Sequence, residues 1–361
     1  MRHLLVVAAG TGGHVMPGLA VADALRERGW RVSWLGTATG MERGLVEPRG
    51  IGFDAIDFTG LRGKGWKAIV FGGFYLLRAL WQSGRIVRVR RPSLVFSTGG
   101  YVAVPAGLAA SLHGVPLVLL NADAAPLLST KLLAPLASAL LCGFDGEAAR
   151  RAGDKGLVTG NPVRAEIAQI GPPAQRYAQR SGPLALLVVG GSLGSQVLNQ
   201  TVPAALASID ATRRPRVVHQ CGAAHVDATR AAYRAAGVDA EVIPFIDDIA
   251  ARYAAADVVL CRAGAITVTE LCVAGVAAIL VPFVVRTTQH QRTNAEFLAQ
   301  HGAAIHLPQS EMTPATLARR IGELTRAELV AMAERARALG KPNATRTVAD
   351  AIEHIAAATN G

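Results

Sequence analysis

The chain has 361 residues, of which 51% are hydrophobic and 17% are charged, so it can bury a sizeable core and is neither a disordered protein nor a small disulfide scaffold. Lys and Arg outnumber Asp and Glu by 37 to 26, and the net charge of +11 favours anionic partners: phosphorylated substrates, acidic lipid or nucleic acid. The four cysteines form no CxxC pair and no zinc-ligand pattern with histidine, so neither a disulfide framework nor a metal site is expected and a reducing cytoplasm fits best.

Two stretches share the same order of a buried strand, a glycine-rich loop and a helix. The first runs from the apolar segment 4–9 to a helical pattern over 17–28, and the second runs from 184–189 to a helix over 197–207. This order, repeated half a chain apart, predicts two Rossmann-like domains with mostly parallel sheets. Further strands are predicted at 31–35, 94–97, 117–120, 139–142, 217–220, 241–244, 258–261 and 278–281.

The domain boundary is predicted at Gly160-Asn161-Pro162 and the Pro-bearing stretch that follows it. We therefore expect an N-terminal domain over 1–162 and a C-terminal domain over 163–342. The last segment, 343–361, has one apolar helical face that must pack on a core. We expect this helix to return to the N-terminal domain.

The first glycine loop, Gly10 to His14, lies between a strand and a helix, where backbone N–H groups and the helix N-terminus can hold a phosphate. It is not a dinucleotide fingerprint, because Val15 stands in place of the third glycine and no acid follows the second strand. No P-loop string, GxxxxGKS or GxxxxGKT, occurs. The imidazole of His14 could take a proton from a hydroxyl group, and a helix-capping or merely exposed histidine is the alternative.

A second anion site is predicted after the strand 258–261, where Ala263 and Gly264 precede a helix. Its free N–H groups could hold a diphosphate. Glu270, one turn into that helix, could accept hydrogen bonds from sugar hydroxyls such as a ribose diol. An acid that stabilises the dipole of its own helix is an equally good interpretation.

Two apolar stretches bear on membrane contact. Proline and glycine within 102–120 predict helix, turn and buried strand rather than a spanning segment, and the N-terminal run is too short for a secretory leader. Between Phe58 and Ala122 there is no Asp or Glu but eight Lys and Arg, beside apolar residues rather than an RNA-binding signature, so nucleic acid is not expected. A lipid-contact surface or an ordinary core helix face would explain the apolar side chains there. The candidate membrane-contact residues are Trp66, Ile69, Phe71, Phe74, Tyr75 and Trp81.

Seven motifs in chain order resemble one family. They are GTGGHVMPGLAVA from Gly10, LRGKG from Leu61, STGGYV from Ser97, GNPVR from Gly160, VVGGSLGS from Val188, FIDDIAARYAAADVVLCRAGAITVTE from Phe245 and VPF from Val281. Over nearly its whole length the chain resembles the bacterial lipid-linked N-acetylglucosaminyltransferases of peptidoglycan synthesis. These enzymes have the GT-B architecture, two Rossmann-like parallel-sheet domains with a cleft between them.

The resemblance implies transfer of GlcNAc, with inversion, from UDP-GlcNAc to the 4-hydroxyl of the muramoyl sugar of lipid I, the undecaprenyl-diphosphate-linked muramoylpentapeptide. The products would be lipid II and UDP. No cofactor and no metal are expected, because helix-terminal amides can stabilise the leaving UDP. The expected partners are UDP-GlcNAc, lipid I, an anionic membrane surface and other cell-wall synthesis proteins, at the cytoplasmic face of the inner membrane. The donor would bind mainly to the C-terminal domain, and the N-terminal domain would meet the acceptor and the membrane.

Carried over motif by motif, the resemblance makes His14 the candidate catalytic base. Ile246 would present its backbone to the uracil, and Glu270 would bind the ribose. The other implied donor-binding residues are Thr11, Gly12, Gly13, Asp123, Arg164, Ser192, Ala265, Ile266, Thr267, Val268, Thr269 and Gln291. Asp123 stands where the family commonly has the asparagine of an HEQN motif, and Gln289 and His290 are alternatives to Gln291.

Two other functions fit the same sequence. One is a GT-B transferase with a different lipid or sugar acceptor, because the fold and the donor loops do not fix the acceptor. The other is a catalytically silent, membrane-bound scaffold that still binds a nucleotide sugar. The altered region around Asp123 is the only sequence feature that supports the scaffold.

Overall fold

The computed structural model describes residues 1–58, 66–191, 193–284 and 289–358, with side chains from 72 onward in the helix that begins at Trp66. The chain divides into two units, one of Met1–Val163 with Pro342–Gly361 and one of Arg164–Lys341. Each unit contains a parallel β-sheet with helices packed on it.

Seven parallel strands form the sheet of the first unit as far as it is described. They are β1 (His3–Ala8), β2 (Arg31–Thr37), β3 (Gly52–Ile56), β4 (Leu94–Gly99), β5 (Leu117–Asn121), β6 (Ala139–Cys142) and β7 (Gly156–Val158). Their order in space is β3-β2-β1-β4-β5-β6-β7, so the chain changes direction across the sheet between β1 and β4. In doubly wound sheets, ligands bind beyond the carboxyl ends of the strands at such a switch point.

Helices cover both faces of this sheet. Leu4, Val6 and Ala8 pack into one apolar cluster, whereas Leu5 and Val7 pack into another on the opposite face. Burial on both faces explains why β1 is a continuous apolar run rather than an alternating one. The helices that precede the second unit are α1 (Gly12–Glu27), α2 (Met41–Val46), α3 (Trp66–Arg90), α4 (Ala103–Leu112), α5 (Leu128–Leu133) and α6 (Glu147–Ala152).

The second unit repeats the plan with six parallel strands within its described residues. The strands are β8 (Ala185–Val189), β9 (Arg216–Gln220), β10 (Glu241–Ile243), β11 (Val258–Cys261), β12 (Ala277–Leu280) and β13 (Ile305–His306). Their order is β10-β9-β8-β11-β12-β13, which puts the switch point between β8 and β11. The helices are α7 (Ala165–Ala168), α8 (Pro173–Ala178), α9 (Gln196–Ala207), α10 (Val226–Ala235), α11 (Ile249–Ala255), α12 (Ala265–Ala274), α13 (His290–Gln300), α14 (Pro314–Gly322) and α15 (Arg326–Leu339).

The last helix, α16 (Ala344–Ala358), packs on the first unit. Its residues Val348 and Ile352 are buried in the same apolar cluster as β1. Glu353 accepts a hydrogen bond from the indole N–H of Trp30 at 3.0 Å and forms an ion pair with Arg28 at 2.7 Å. Apolar burial and polar contacts together attach α16 to the first unit.

The strands predicted from the sequence are confirmed, and three strands were not predicted. The missed strands β3, β7 and β13 all lie at sheet edges and are half-buried or exposed at most positions. An edge strand has one neighbour and keeps contact with water, so it shows no continuous apolar run.

The start of α1 differs from the prediction. The helix expected over 17–28 begins earlier, at Gly12, so two glycines of the loop and His14 belong to its first turn.

The stretch 102–120 forms helix α4, a turn and the buried strand β5, as predicted. Within the searched, described part of the chain, no helix is both long and apolar enough to cross a bilayer.

Candidate active site

The first glycine loop lies at the switch point of the first sheet. Thr11 is the N-cap residue of α1 and has extended backbone angles, and Gly12 and Gly13 begin the helix directly after β1. No acidic residue lies in this first turn. The first N–H groups of a helix have no partner within it, and they carry partial positive charge. The predicted phosphate-approaching residues therefore stand where an anion can be bound.

His14 is held by β4, the strand across the switch point. Its Nδ1 donates a hydrogen bond to the carbonyl oxygen of Thr98 at 2.8 Å, and the Thr98 hydroxyl donates to the carbonyl of His14 at 2.7 Å. A neutral imidazole with its proton on Nδ1 carries a lone pair on Nε2. The alternatives of a capping or merely exposed histidine are wrong, because Thr11 is the N-cap and the ring is half-buried.

The close approach of His14 to β4 requires a glycine at the end of that strand. Gly99 has a φ of +106°, and a Cβ atom there would lie 2.9 Å from Cε1 of the imidazole. A side chain at this position would be strained by its backbone and would also push the ring away. The STGG motif thus makes room for the histidine.

The loop after β5 is organised by Asn121, which is fully buried. Its Nδ2 donates to the carbonyls of Asp123 (2.6 Å) and Ala125 (3.2 Å), while its Oδ1 accepts from the N–H of Leu127 (3.1 Å) and the hydroxyl of Thr130 (2.9 Å). Asp123 itself is 6% exposed. The loop is rigidly held, and the contact of Asp123 with a sugar stays a prediction.

In the second unit, α12 begins beside the switch point between β8 and β11. Gly264 is the N-cap residue, and Ala265, Ile266 and Thr267 form a half-buried first turn that contains no acid. The N–H of Val268 already donates to the carbonyl of Gly264 at 2.9 Å, and Thr269 is buried deeper in the helix. The amides best placed for an anion are therefore those of the first three residues of the predicted group.

Glu270 lies further along α12 and is 5% exposed. Its Oε1 accepts hydrogen bonds from both Nε (3.0 Å) and Nη2 (2.8 Å) of Arg164, the N-cap residue of α7. Burial raises the pKa of the Glu270 carboxyl, and the Arg164 guanidinium opposes this rise. The interpretation as an acid acting on its own helix dipole is wrong, because Glu270 is outside the first turn and is bound to Arg164.

The second glycine loop is fixed by a side chain that was not predicted. Gln220, the last residue of β9, accepts a hydrogen bond from the N–H of Gly191 (3.0 Å) and donates to the carbonyls of Gly191 (2.9 Å) and Pro244 (3.0 Å). Ile246, two residues beyond Pro244, is buried. One amide therefore connects the glycine loop to the segment predicted to meet the uracil. Ser192 lies outside the described residues.

Gln291 lies in the first turn of α13, where its Oε1 accepts a hydrogen bond from the N–H of Phe283 at 2.9 Å. The neighbouring Gln289 accepts from Arg292. Gln291 thus fixes the backbone after β12, and its contact with a sugar stays a prediction.

The exposed face of α3 carries several of the candidate membrane-contact residues. Phe74 and Trp81 are 65% and 66% exposed, and Tyr75 is 48% exposed. The core side of the same helix is lined by Ala79 and Val87 instead. For these three aromatic residues the interpretation as a core helix face is wrong. The side chains of Trp66, Ile69 and Phe71 lie outside the described residues.

The predicted catalytic and donor-binding residues fall into two groups. Thr11, Gly12, Gly13, His14 and Asp123 belong to the first unit, and the rest belong to the second unit, where Arg164 and Glu270 touch. Asn121 and Gln220 were missed, although each is a polar residue that closes an apolar strand. That pattern is readable from a sequence, and it marks the carboxyl edge of a parallel sheet.

Comparison with known proteins places the chain in a class of enzymes. Residues 4–141 match the glycosyltransferase family 28 N-terminal domain, and residues 185–355 match the glycosyltransferase family 28 C-terminal domain. The crystal structure of Acinetobacter baumannii MurG superposes with a TM-score of 0.85 at 38% identity, covering 98% of this chain and 100% of that one. The UDP co-structure of S. aureus MnaA, at 14% identity and a TM-score of 0.68, shows a shared fold alone.

Two relatives identify the family within this class. A protein of Methylibium petroleiphilum is 56% identical over 98% of both chains, and one of Herminiimonas arsenicoxydans is 56% identical over 98% of this chain and 99% of its own. Both are named UDP-N-acetylglucosamine--N-acetylmuramyl-(pentapeptide) pyrophosphoryl-undecaprenol N-acetylglucosamine transferase. The chain belongs to this MurG family of glycosyltransferases. The predicted family and the GT-B fold class are confirmed.

Proposed function

We propose that this protein is an inverting, UDP-GlcNAc-dependent N-acetylglucosaminyltransferase that moves GlcNAc to the 4-hydroxyl of the muramoyl sugar of lipid I, forming lipid II and UDP. Membership of the MurG family supports the substrates. The observation that carries the mechanism is the hydrogen bond from Nδ1 of His14 to the Thr98 carbonyl, because a neutral ring with its proton on Nδ1 has its basic lone pair on Nε2.

The reaction needs one base and one stabilised leaving group. The acceptor oxygen attacks the anomeric carbon of GlcNAc from the face opposite the diphosphate, and the bond between that carbon and the diphosphate oxygen breaks. In the proposed mechanism Nε2 of His14 takes the hydroxyl proton. The negative charge that develops on UDP is stabilised by N–H groups at the start of α12, with Thr11, Gly12 and Gly13 as further contacts.

In this proposal, different residues contact different parts of UDP-GlcNAc. Ile246 presents its backbone to the uracil, Glu270 accepts from the ribose hydroxyls, and Ala265 to Thr269 surround the diphosphate. Arg164 and Ser192 line the nucleotide, and Gln291 and Asp123 approach the sugar. The second unit is then the donor domain, and the first unit is the acceptor domain.

The test is transfer of labelled GlcNAc from UDP-GlcNAc to a lipid I analogue by the purified protein, with and without a chelator. We expect lipid II to form in both samples, because helix amides rather than a metal stabilise the leaving group. Loss of product in the chelator contradicts the metal-free mechanism. Donor binding with transfer only to another acceptor supports a different GT-B activity, and donor binding without any transfer supports a silent scaffold.

We also propose that the protein acts at the cytoplasmic face of the inner membrane, bound peripherally through α3. Exposed aromatic side chains on that helix can insert at an interface, and the basic residues around them attract anionic lipid. Changing Phe74 and Trp81 together to serine is expected to weaken binding to anionic liposomes several-fold, with the melting temperature unchanged.

A sedimentation assay with anionic and neutral vesicles measures this binding. Leu157→Ser serves as the control, since Leu157 is also an exposed apolar residue of the first unit but lies on the edge strand β7. A double variant that binds anionic vesicles as tightly as the unmodified protein would contradict membrane contact through Phe74 and Trp81.

A further inference from the structure

Glu42 is a carboxylate buried completely beside the first glycine loop. It lies on the short helix α2, and its Oε1 accepts hydrogen bonds from the N–H of Thr37 (2.9 Å) and from the Thr37 hydroxyl (2.8 Å). Its Oε2 faces the N–H of Gly10 at 3.5 Å. The side chain thus joins the carboxyl end of β2 to the residue that opens the glycine loop after β1.

The local sequence makes room for this carboxylate. A Cβ atom at Gly40 would lie 2.2 Å from both carboxylate oxygens of Glu42, and a Cβ atom at Gly36 would lie 2.9 Å from its Cγ. Each approach is closer than a Cβ atom tolerates. The pattern Gly36-Thr37-x-x-Gly40-x-Glu42 therefore encodes the placement of one buried acid.

Such an acid is costly to bury. Its contacts in the described chain are neutral N–H and O–H donors, and no Lys, Arg or His there forms an ion pair with it. A buried carboxylate is tolerated only when hydrogen bonds replace its water, and its strong, directed bonds then hold their donors in place. A core apolar residue would fill the space without fixing the direction of these groups.

The Thr37 hydroxyl also lies near a second side chain at the site, that of Tyr101. The hydroxyls of Thr37 and Tyr101 are 3.4 Å apart, and the ring of Tyr101 lies 3.4 Å from the place of a Cβ atom at Gly10. Tyr101 directly follows the Gly99-Gly100 turn that accommodates His14. Glu42, Thr37 and Tyr101 therefore enclose the loop from the side of β2, while Thr98 holds it from the side of β4.

We propose that Glu42 is a positioning residue for glycosyl transfer, which orients the loop from Gly10 to His14 without touching either substrate. The proposal rests on the catalytic role of that loop. The Glu42 carboxylate sets the position of the amides at the start of α1, and through them the position of the His14 ring. Glutamine at this position has one acceptor oxygen and one NH₂ group, so it cannot accept from all three donors.

The test compares Glu42→Gln with His3→Gln, a matched variant at the opposite end of the same strand pair. His3 on β1 is also buried and bonds to Ser33 on β2 at 2.9 Å, so both variants remove a buried polar link between the two strands. We expect similar losses in melting temperature. Glu42→Gln alone should lower kcat, by about tenfold, and should weaken UDP binding less than that, because the loop supplies only part of the proposed donor contacts.

Hydrogen–deuterium exchange over residues 9–16 gives a readout that does not depend on turnover. We expect faster exchange there in Glu42→Gln but not in His3→Gln, and an intermediate change in Thr37→Val, which removes one of the three donors. Normal exchange and normal kcat in Glu42→Gln would overturn the proposal, as would equal losses of kcat in the two glutamine variants. Absence of transfer by the unmodified protein would instead contradict the proposed function, and the exchange result would still decide the role of Glu42.

Discussion

Replacing His14 with alanine is expected to lower kcat by ~10² to 10⁴, the usual contribution of a general base. The Thr98 carbonyl fixes the proton on Nδ1, so the lone pair of the neutral ring is on Nε2, where it can receive the acceptor proton. The donor residues of the second unit are untouched by this change. Affinity for UDP, measured by calorimetry, should therefore stay close to that of the unmodified protein.

His113→Ala is the matched control for this prediction. Nδ1 of His113 also donates to a backbone carbonyl, that of Ala109 at 2.9 Å, but this histidine lies just after α4, away from the glycine loop. The His113→Ala variant should leave kcat unchanged. Near-normal turnover in His14→Ala would remove this side chain from the mechanism, and a large loss of UDP affinity would show that it binds the donor instead.

The parts of the fold that the sequence predicts are those buried on both faces. β1, β5 and β11 are continuous apolar runs because helices cover both sides of their sheets, and such runs can be recognised locally. The start of α1 was misplaced because Pro17 suggests the first helical residue, whereas the helix begins at Gly12 and contains Pro17. A proline near a helix start removes one N–H, and the structure tolerates that loss.

In the candidate site, too, the parts that could be predicted are those with a local pattern in the sequence. The loops could be predicted because glycines between a strand and a helix have one physical use, close approach of the backbone to an anion. The position of Gln220 at the end of a strand can be read from the sequence, but the bonds that Gln220 and Glu42 make cannot. Their partners Pro244 and Gly10 are 24 and 32 residues distant and come near only in the folded sheet. Burial of a single polar side chain leaves no periodic trace in a sequence.

Replacing Glu270 with alanine is expected to weaken UDP binding by ~1 to 3 kcal/mol, the cost of leaving buried hydrogen-bonding groups, here the ribose hydroxyls, without a partner. The carboxylate is buried at the site, and Arg164 uses only Oε1, so Oε2 remains for the ribose hydroxyls. Calorimetry with UDP measures the loss. Unchanged affinity would contradict the ribose contact.

The pH dependence of UDP binding distinguishes two roles of Arg164: contact with the donor, and control of the charge of Glu270. Burial raises the pKa of Glu270, the Arg164 cation opposes that rise, and the buried Tyr253 is a further titratable neighbour. A protonated Glu270 accepts ribose hydrogen bonds poorly, so affinity is lost as the pH falls through its pKa. Arg164→Gln removes the cation and should move this loss to higher pH, whereas Arg164→Lys should keep it near its original place.

Glu270→Gln provides the reference profile, because UDP titrates on its own phosphate and that contribution remains when the carboxyl group is gone. Subtracting it isolates the titration of Glu270. If Arg164→Gln lowers affinity equally at every pH, Arg164 acts only by contact with the donor and does not control the charge of Glu270. If instead the acid limb shifts upward, the ion pair between α7 and α12 is what keeps a buried carboxylate ready to accept hydrogen bonds from the ribose.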